Sequence, residues 1–225
     1  MTQANGDPGW RSRVLDANRE VHGRLADIYD ETEPHFRPEN QAKVKERLRS
    51  VRDRAGKARL LDVGCGTGFM LRLAADLFDQ IDGVDITEEM MRRIPNLGDH
   101  VKTQLAEAEN LPFADNTFDV VTAYSVFDHL VDYRITLKEI RRVLKPGGIF
   151  YADLIPNKEF WQALVDIAAA DEPSLDPIVA RELAMVREND KRIEKEHGIA
   201  SETFRNAEPG KLGGGIDGPA VCADA

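Results

Sequence analysis

The stretch Leu60-Leu61-Asp62-Val63-Gly64-Cys65-Gly66-Thr67-Gly68 runs from a short apolar segment into a turn with three glycines, and Phe69–Leu77 beyond it carries helical spacing. A buried strand that ends in a glycine turn and opens a helix brings backbone N–H groups close to a ligand. The spacing narrows the choice of ligand. A dinucleotide-binding turn reads G-x-G-x-x-G, but here the glycines stand at 64, 66 and 68 and position 69 holds Phe69. Asp62 adds a carboxylate two residues before the first glycine. It repels a pyrophosphate and attracts an ammonium, so a ligand with positive charge is expected at this turn. No Gly-Lys-Ser/Thr follows, which rules out a P-loop.

Outward from the turn, apolar runs alternate with helical patterns. Ile81–Ile86 reads as a second strand followed by a helix over Thr87–Ile94, Val101–Leu105 as a third strand, and Phe118–Tyr124 as a fourth with a β-branched centre. A helix then carries Leu137, Ile140, Val143 and Leu144 on one face, and Lys145-Pro146-Gly147-Gly148 stops it ahead of a fifth strand, Gly148–Ile155. Strands alternating with helices imply βαβ units and a parallel sheet, so the fold class is α/β. Residues 1–55 read as helical, with Val44, Leu48, Val51 and Ala55 on one stripe. The basic residues 43–54 around that stripe read as a solvated face. Residues 160–170 and 176–196 read as helical, Glu208–Pro219 as a Gly/Pro-rich loop or disordered tail, and no strand is legible after Ile155.

The chain has 225 residues, enough for one sizeable domain with extensions. Its 40 acidic and 30 basic residues give a net charge of −10, which argues against nucleic-acid binding. No apolar run approaches the ~18 residues of a membrane span, and the first residues lack the pattern of a signal peptide. Cys65 and Cys222 suggest no disulfide framework. The expectation is a cytoplasmic protein without a membrane span. No His/Cys/Asp cluster has metal-ligand spacing, so no metal is expected.

Twenty-one residues beyond Gly64, the second strand ends in Asp85, whose carboxylate can accept hydrogen bonds from both hydroxyls of a ribose. Thr87 reads as the cap of the following helix, with Glu88 and Glu89 in its first turn. LLDVGCGTG, GVDITEEM, AEAENLPFADNTFDVV and RRVLKPGG, in this order, resemble the successive motifs of the class I S-adenosylmethionine-dependent methyltransferases, nearest to the small-molecule and ubiquinone-biosynthesis branch. The resemblance covers roughly residues 25–156. It implies a Rossmann-like core over residues 56–156, an N-terminal helical lid over 1–55 and a helical extension over 157–225. It implies S-adenosyl-L-methionine as cofactor and a small-molecule methyl acceptor as partner.

By the same resemblance, Gly64, Cys65, Gly66 and Gly68 shape the turn against the methionyl part, with Asp62 near its ammonium and Ser125 on the methionine side. Asp85 holds the ribose and Ile86 packs on the adenine. Glu107 stands where the family usually has Asp, reaching the adenine amino group, and the Ala108 N–H meets a ring nitrogen. Tyr29 touches the methionyl end from the lid, whereas His35 is expected at the surface.

Displacement at a sulfonium needs mainly alignment and exclusion of water. If the acceptor requires a base, His129 is the candidate; on an α-helix, neighbouring Asp128 would not face it. The family normally adds two strands after the fifth, and this chain lacks a legible pair. A truncated or degenerate fold that binds the cofactor without methyl transfer is therefore the alternative. The same gap leaves the fifth strand as an apolar edge, which is expected to be covered by the helices at 160–196 or by a second subunit in a homodimer.

Overall fold

The computed structural model describes residues 8–56, 59–161, 189–212 and 216. Three layers build up around five parallel strands: β1 (Arg59–Val63), β2 (Gln80–Asp85), β3 (Val101–Leu105), β4 (Phe118–Tyr124) and β5 (Leu144–Asp153). Their order in the sheet is β3-β2-β1-β4-β5. β1 lies at the centre, with Leu60–Val63 in register with Ile81–Val84 on one side and Leu60–Asp62 with Val120–Thr122 on the other. The connection order reverses between β1 and β4. In an open α/β sheet that reversal opens a crevice beyond the carboxyl ends of the strands.

The two faces of the sheet are covered by different helices. α1 (Trp10–Leu25), α2 (Tyr29–Thr32) and α3 (Pro38–Ala55) precede β1, α4 (Phe69–Ala74) follows it, and α5 (Glu88–Met91) follows β2. Val44, Leu48 and Val51 of α3 pack with Leu71 and Phe69 of α4 against Leu60, Ile81 and Val120. On the opposite face, Leu137, Ile140 and Val143 of α6 (Tyr133–Val143) pack on Leu61, Val121 and Phe118. Neighbouring strand residues point to opposite faces, so Leu60 and Leu61 enter different cores. The basic face of α3 is solvated and laced with ion pairs, among them Lys45 to Asp76 at 2.8 Å and Arg47 to Asp153 at 2.5 Å.

Several boundaries differ from the sequence reading. The helices after β1 and β2 end at Ala74 and Met91, shorter than their spacing suggests. β5 begins at Leu144 rather than Gly148, because the ladder continues through a bulge: Phe118 pairs with Leu144 and Val120 with Ile149. Gly147 supplies the positive φ of +80° within that bulge. Finally, a short helix, α8 (Pro209–Leu212), replaces part of the expected Gly/Pro-rich loop, following α7 (Ser201–Ala207).

The expected cover for β5 from residues 160–196 falls mostly outside the described residues. Among the described residues, β5 pairs on one side only, and Asn157 makes a single bridge to Ile216. Residues 193–207 pack instead on α1, where Ile193, Ile199, Phe204 and Ala207 meet Ala17 and Val21. Residues 193–207 are thereby joined to the N-terminal helix, while Ile216 pairs with residues 156–158 just past β5. No helix among the described residues is long and apolar enough to cross a membrane.

Candidate active site

At the carboxyl end of β1, Gly64 and Cys65 both donate their N–H to the Val84 carbonyl, at 2.8 and 2.9 Å, which bends the chain across the end of β2. Gly64 holds φ +73°, and a Cβ there would lie 2.4 Å from Val126 Cγ2. Only glycine fits both the backbone and the space. Gly66, at φ +49°, donates its N–H to Asp85 Oδ2 at 2.8 Å, while the Thr87 N–H donates to Asp85 Oδ1 at 2.8 Å. Asp85 therefore joins the turn to the start of α5. Thr87 stands at the cap position of α5 without making a side-chain capping bond, so Asp85 rather than Thr87 serves the backbone there.

These groups line an open cleft with about 940 Å³ of empty space, its mouth included. Asp62, Gly64, Cys65, Gly66, Asp85, Ile86, Glu107, Ala108, Ser125, Tyr29 and His129 all line it. Gly68 does not. Its φ of +89° opens α4 and its Cβ position meets Ile94, so its work is to turn the chain into the helix. Cys65 is buried and its Sγ lies against Gly83, where burial holds the thiol protonated.

Asp62 is 1% exposed and accepts one hydrogen bond, from Thr122 Oγ1 at 2.7 Å. Burial pushes its pKa up to about 7, with Thr122 opposing and Asp85 adding to the rise. Burial likewise raises Asp85, against the hydrogen bonds from Gly66 and Thr87. Among the described residues, four carboxylates and no lysine or arginine line the cavity. Glu107 and Glu109 are paired behind it by Arg11, whereas Asp62 and Asp85 meet a hydroxyl and backbone N–H groups. The lining thus favours a cationic ligand and disfavours a pyrophosphate.

The segment before α3 closes one wall. Tyr29 is held among rings, 6.1 Å from His35 and 6.3 Å from Phe36, and burial raises its phenol. His35 is a correction: it is 6% exposed, lines the cavity and packs edge-on to Phe69 at 4.7 Å. Burial pushes it down to about 4, so it is neutral near pH 7. Asp30 of α2 accepts from Thr67 Oγ1 at 2.5 Å and from Arg72 Nη1 at 2.8 Å, which ties this wall to the glycine turn.

The second correction lies beyond β4. Ser125 takes φ +53° and donates its N–H to the Asp153 carbonyl at 3.1 Å. Phe127–His129 then forms a 3₁₀ turn, not an α-helix, and brings His129 Nε2 to 3.5 Å from Asp128 Oδ2. His129 Nδ1 lies 2.8 Å from the Ala207 carbonyl, which can only accept. This assigns the ring proton to Nδ1 and leaves Nε2 as the acceptor in the neutral ring. His22 of α1, absent from the sequence-predicted site, also lines the cavity with its ring 4.6 Å from His129. Burial lowers it to about 3. A lone histidine among polar helix residues gives no signal of such a role. No group of three or more metal-type side chains comes together among the described residues.

Residues 61–152 match the family model of the methyltransferase domain. The O-methyltransferase cnsE of Penicillium expansum is 31% identical over 178 residues, covering 65% of this chain and 64% of that protein. The demethylmenaquinone methyltransferase of Symbiobacterium thermophilum is 43% identical over 100 residues, 40% of each. The chain thus spans between two fifths and two thirds of the lengths of these relatives. Among solved structures, the [4+2]-cyclase SpnF superposes with a TM-score of 0.55 at 24% identity, over 84% of this chain and 88% of that one, a likeness of fold alone.

Proposed function

We propose that this chain, whose residues 61–152 match a methyltransferase domain, is a class I S-adenosylmethionine-dependent enzyme that transfers a methyl group to a small-molecule acceptor in the cavity above β1 and β4. The observation that carries this reading is the cavity's charge: carboxylates without a lysine or arginine beside the glycine turn. Such a lining suits a cofactor that is itself a cation. Gly64 and Gly66 also line this cavity, and neither puts a side chain between the backbone and a ligand.

Asp62 would face the ammonium, and that charge would return its carboxyl to the ionised form. Asp85 would accept from the ribose hydroxyls while keeping the N–H groups of Gly66 and Thr87. Ile86 and the Ala108 N–H would bound the adenine. Glu107, already engaged by Arg11, would reach the adenine amino group through its remaining lone pairs. Ser125 and Tyr29 would flank the methionyl end. When bound, S-adenosylmethionine supplies a methyl group on a positively charged sulfur. The chain's part is then to align the acceptor and exclude water. Tyr29 and His35 form one wall of the cavity, and His129, which lines it with Nε2 beside Asp128, is the side chain proposed to take a proton from an acceptor hydroxyl or amine.

Incubation with methyl-labelled S-adenosylmethionine and a panel of quinols, phenols and amines tests this reading. Transfer to at least one acceptor is expected, with kcat falling about 10²–10⁴-fold in His129→Ala. A loss under about threefold would leave alignment alone as the source of rate and remove His129 from the chemistry.

A further inference from the structure

We propose that Asp128 and Lys211 are positioning residues that set the orientation and proton affinity of His129, so that the C-terminal segment is a working part of the site. The importance of this arrangement rests on the reading of the cavity as the methyl-transfer site; its test does not.

The geometry is specific. Asp128 is 3% exposed, and both its neighbours address one oxygen: Lys211 Nζ lies 2.8 Å and His129 Nε2 3.5 Å from Oδ2. Oδ1 is buried with no hydrogen-bond partner among the described residues. Lys211 is shared in turn with Glu208, 2.6 Å away. The segment that carries Lys211 sits directly on the 3₁₀ turn: a Cβ at Gly210 would lie 2.8 Å from Asp128 Cα and 3.0 Å from the Phe127 carbonyl. The same segment supplies the Ala207 carbonyl that holds His129 Nδ1. From the other side, Asn18 of α1 donates to the His129 carbonyl at 3.2 Å.

A carboxylate beside Nε2 favours the protonated ring, since its two N–H groups then face Ala207 and Asp128. An ammonium on the same carboxylate oxygen opposes it. Burial alone would raise Asp128, yet His129 and Lys211 lower it, so the carboxylate stays charged under this competition. The other titratable groups around the histidine are few. His22 faces it from α1 and is neutral above about pH 3. Glu33, from the segment before α3, feels both Lys211 and His129 and has its own pKa raised chiefly by burial. Glu208 acts through Lys211. The geometry thus sets one buried carboxylate and one lysine against each other beside His129.

The test is the titration of His129 by histidine-selective NMR on the full chain without substrate. Lys211→Met should raise its pKa by about one pH unit and Asp128→Asn should lower it by a similar amount. Glu208→Gln, which leaves the Lys211–Asp128 contact in place should Lys211→Met fail to fold, should also lower it, because Lys211 then acts on Asp128 alone. Lys211→Arg should keep the wild-type value. A purely structural contact predicts one common titration in every folded variant, and that result would overturn the proposal. If the titrations move in the stated order while the pH profile of methyl transfer stays fixed, the coupling stands and the role of His129 in the reaction falls.

Discussion

Replacing Asp62 with asparagine should make the ligand-free protein more stable and the liganded protein less so. The side-chain amide of Asp62→Asn keeps the acceptor oxygen that Thr122 Oγ1 meets at 2.7 Å, so the packing of β1 on β4 is unchanged. What disappears is a buried charge. The Asp62 carboxyl titrates at about 7 in the folded chain against 3.8 for an unperturbed group, a gap of about three pH units. At about 1.4 kcal/mol per unit, the ceiling on the folding penalty above pH 7 is about 4 kcal/mol. Relaxation and water reaching the cavity bring the expected gain nearer to about 2 kcal/mol. The sign follows from proton binding. Below pH 3.8 the carboxyl is neutral folded or unfolded and the substitution changes nothing through charge; the gain grows as pH rises and is complete above pH 7.

Thermal denaturation at pH 5 and pH 8 reads this directly. Asp62→Asn should melt about 4–8 °C above wild type at pH 8, with a clearly smaller difference at pH 5. Its affinity for S-adenosylmethionine should fall tenfold or more, because the charge that met the ammonium is gone. A gain of equal size at both pH values, or a loss at pH 8, would refute the account of Asp62 as a desolvated carboxylate awaiting a cation.

Gly64→Ala places a Cβ 2.4 Å from Val126 Cγ2 at φ +73°, and should cost more than about 2 kcal/mol in stability or displace the turn and abolish cofactor binding; chemical denaturation and calorimetry separate the two. Asp30→Ala removes the acceptor of both Thr67 and Arg72, and stopped-flow measurement of S-adenosylhomocysteine release should show a faster off-rate with little change in melting temperature.

Much of the site was legible because its logic is local. The turn from β1 into α4, the placing of Asp85 at the end of β2 and the apolar stripe of α6 are all written in spacings of a few residues. What escaped the sequence depends on contacts between distant segments. Periodicity cannot reveal that Arg11 pairs with Glu107 and Glu109, that Asp30 meets Thr67, or that Lys211 meets Asp128. His35 looked like a surface residue because no apolar pattern surrounds it, yet rings from α4 and β4 enclose it. On an α-helix Asp128 and His129 would face different directions; the tighter 3₁₀ turn brings them together. Gly68, the last of the glycine run, opens α4 with its left-handed backbone, a role that spacing alone does not separate from ligand contact.

Isothermal titration of S-adenosylhomocysteine into the wild-type chain and Asp85→Ala tests the central claim most directly, since the product binds without turnover. Micromolar binding to wild type is expected, with no measurable binding of NAD and a loss of about 1.5–3 kcal/mol in Asp85→Ala, the scale of hydrogen bonds to a charged acceptor. Equal affinity of the two proteins, or NAD binding as tightly as the homocysteine product, would contradict the assignment of this cavity to S-adenosylmethionine.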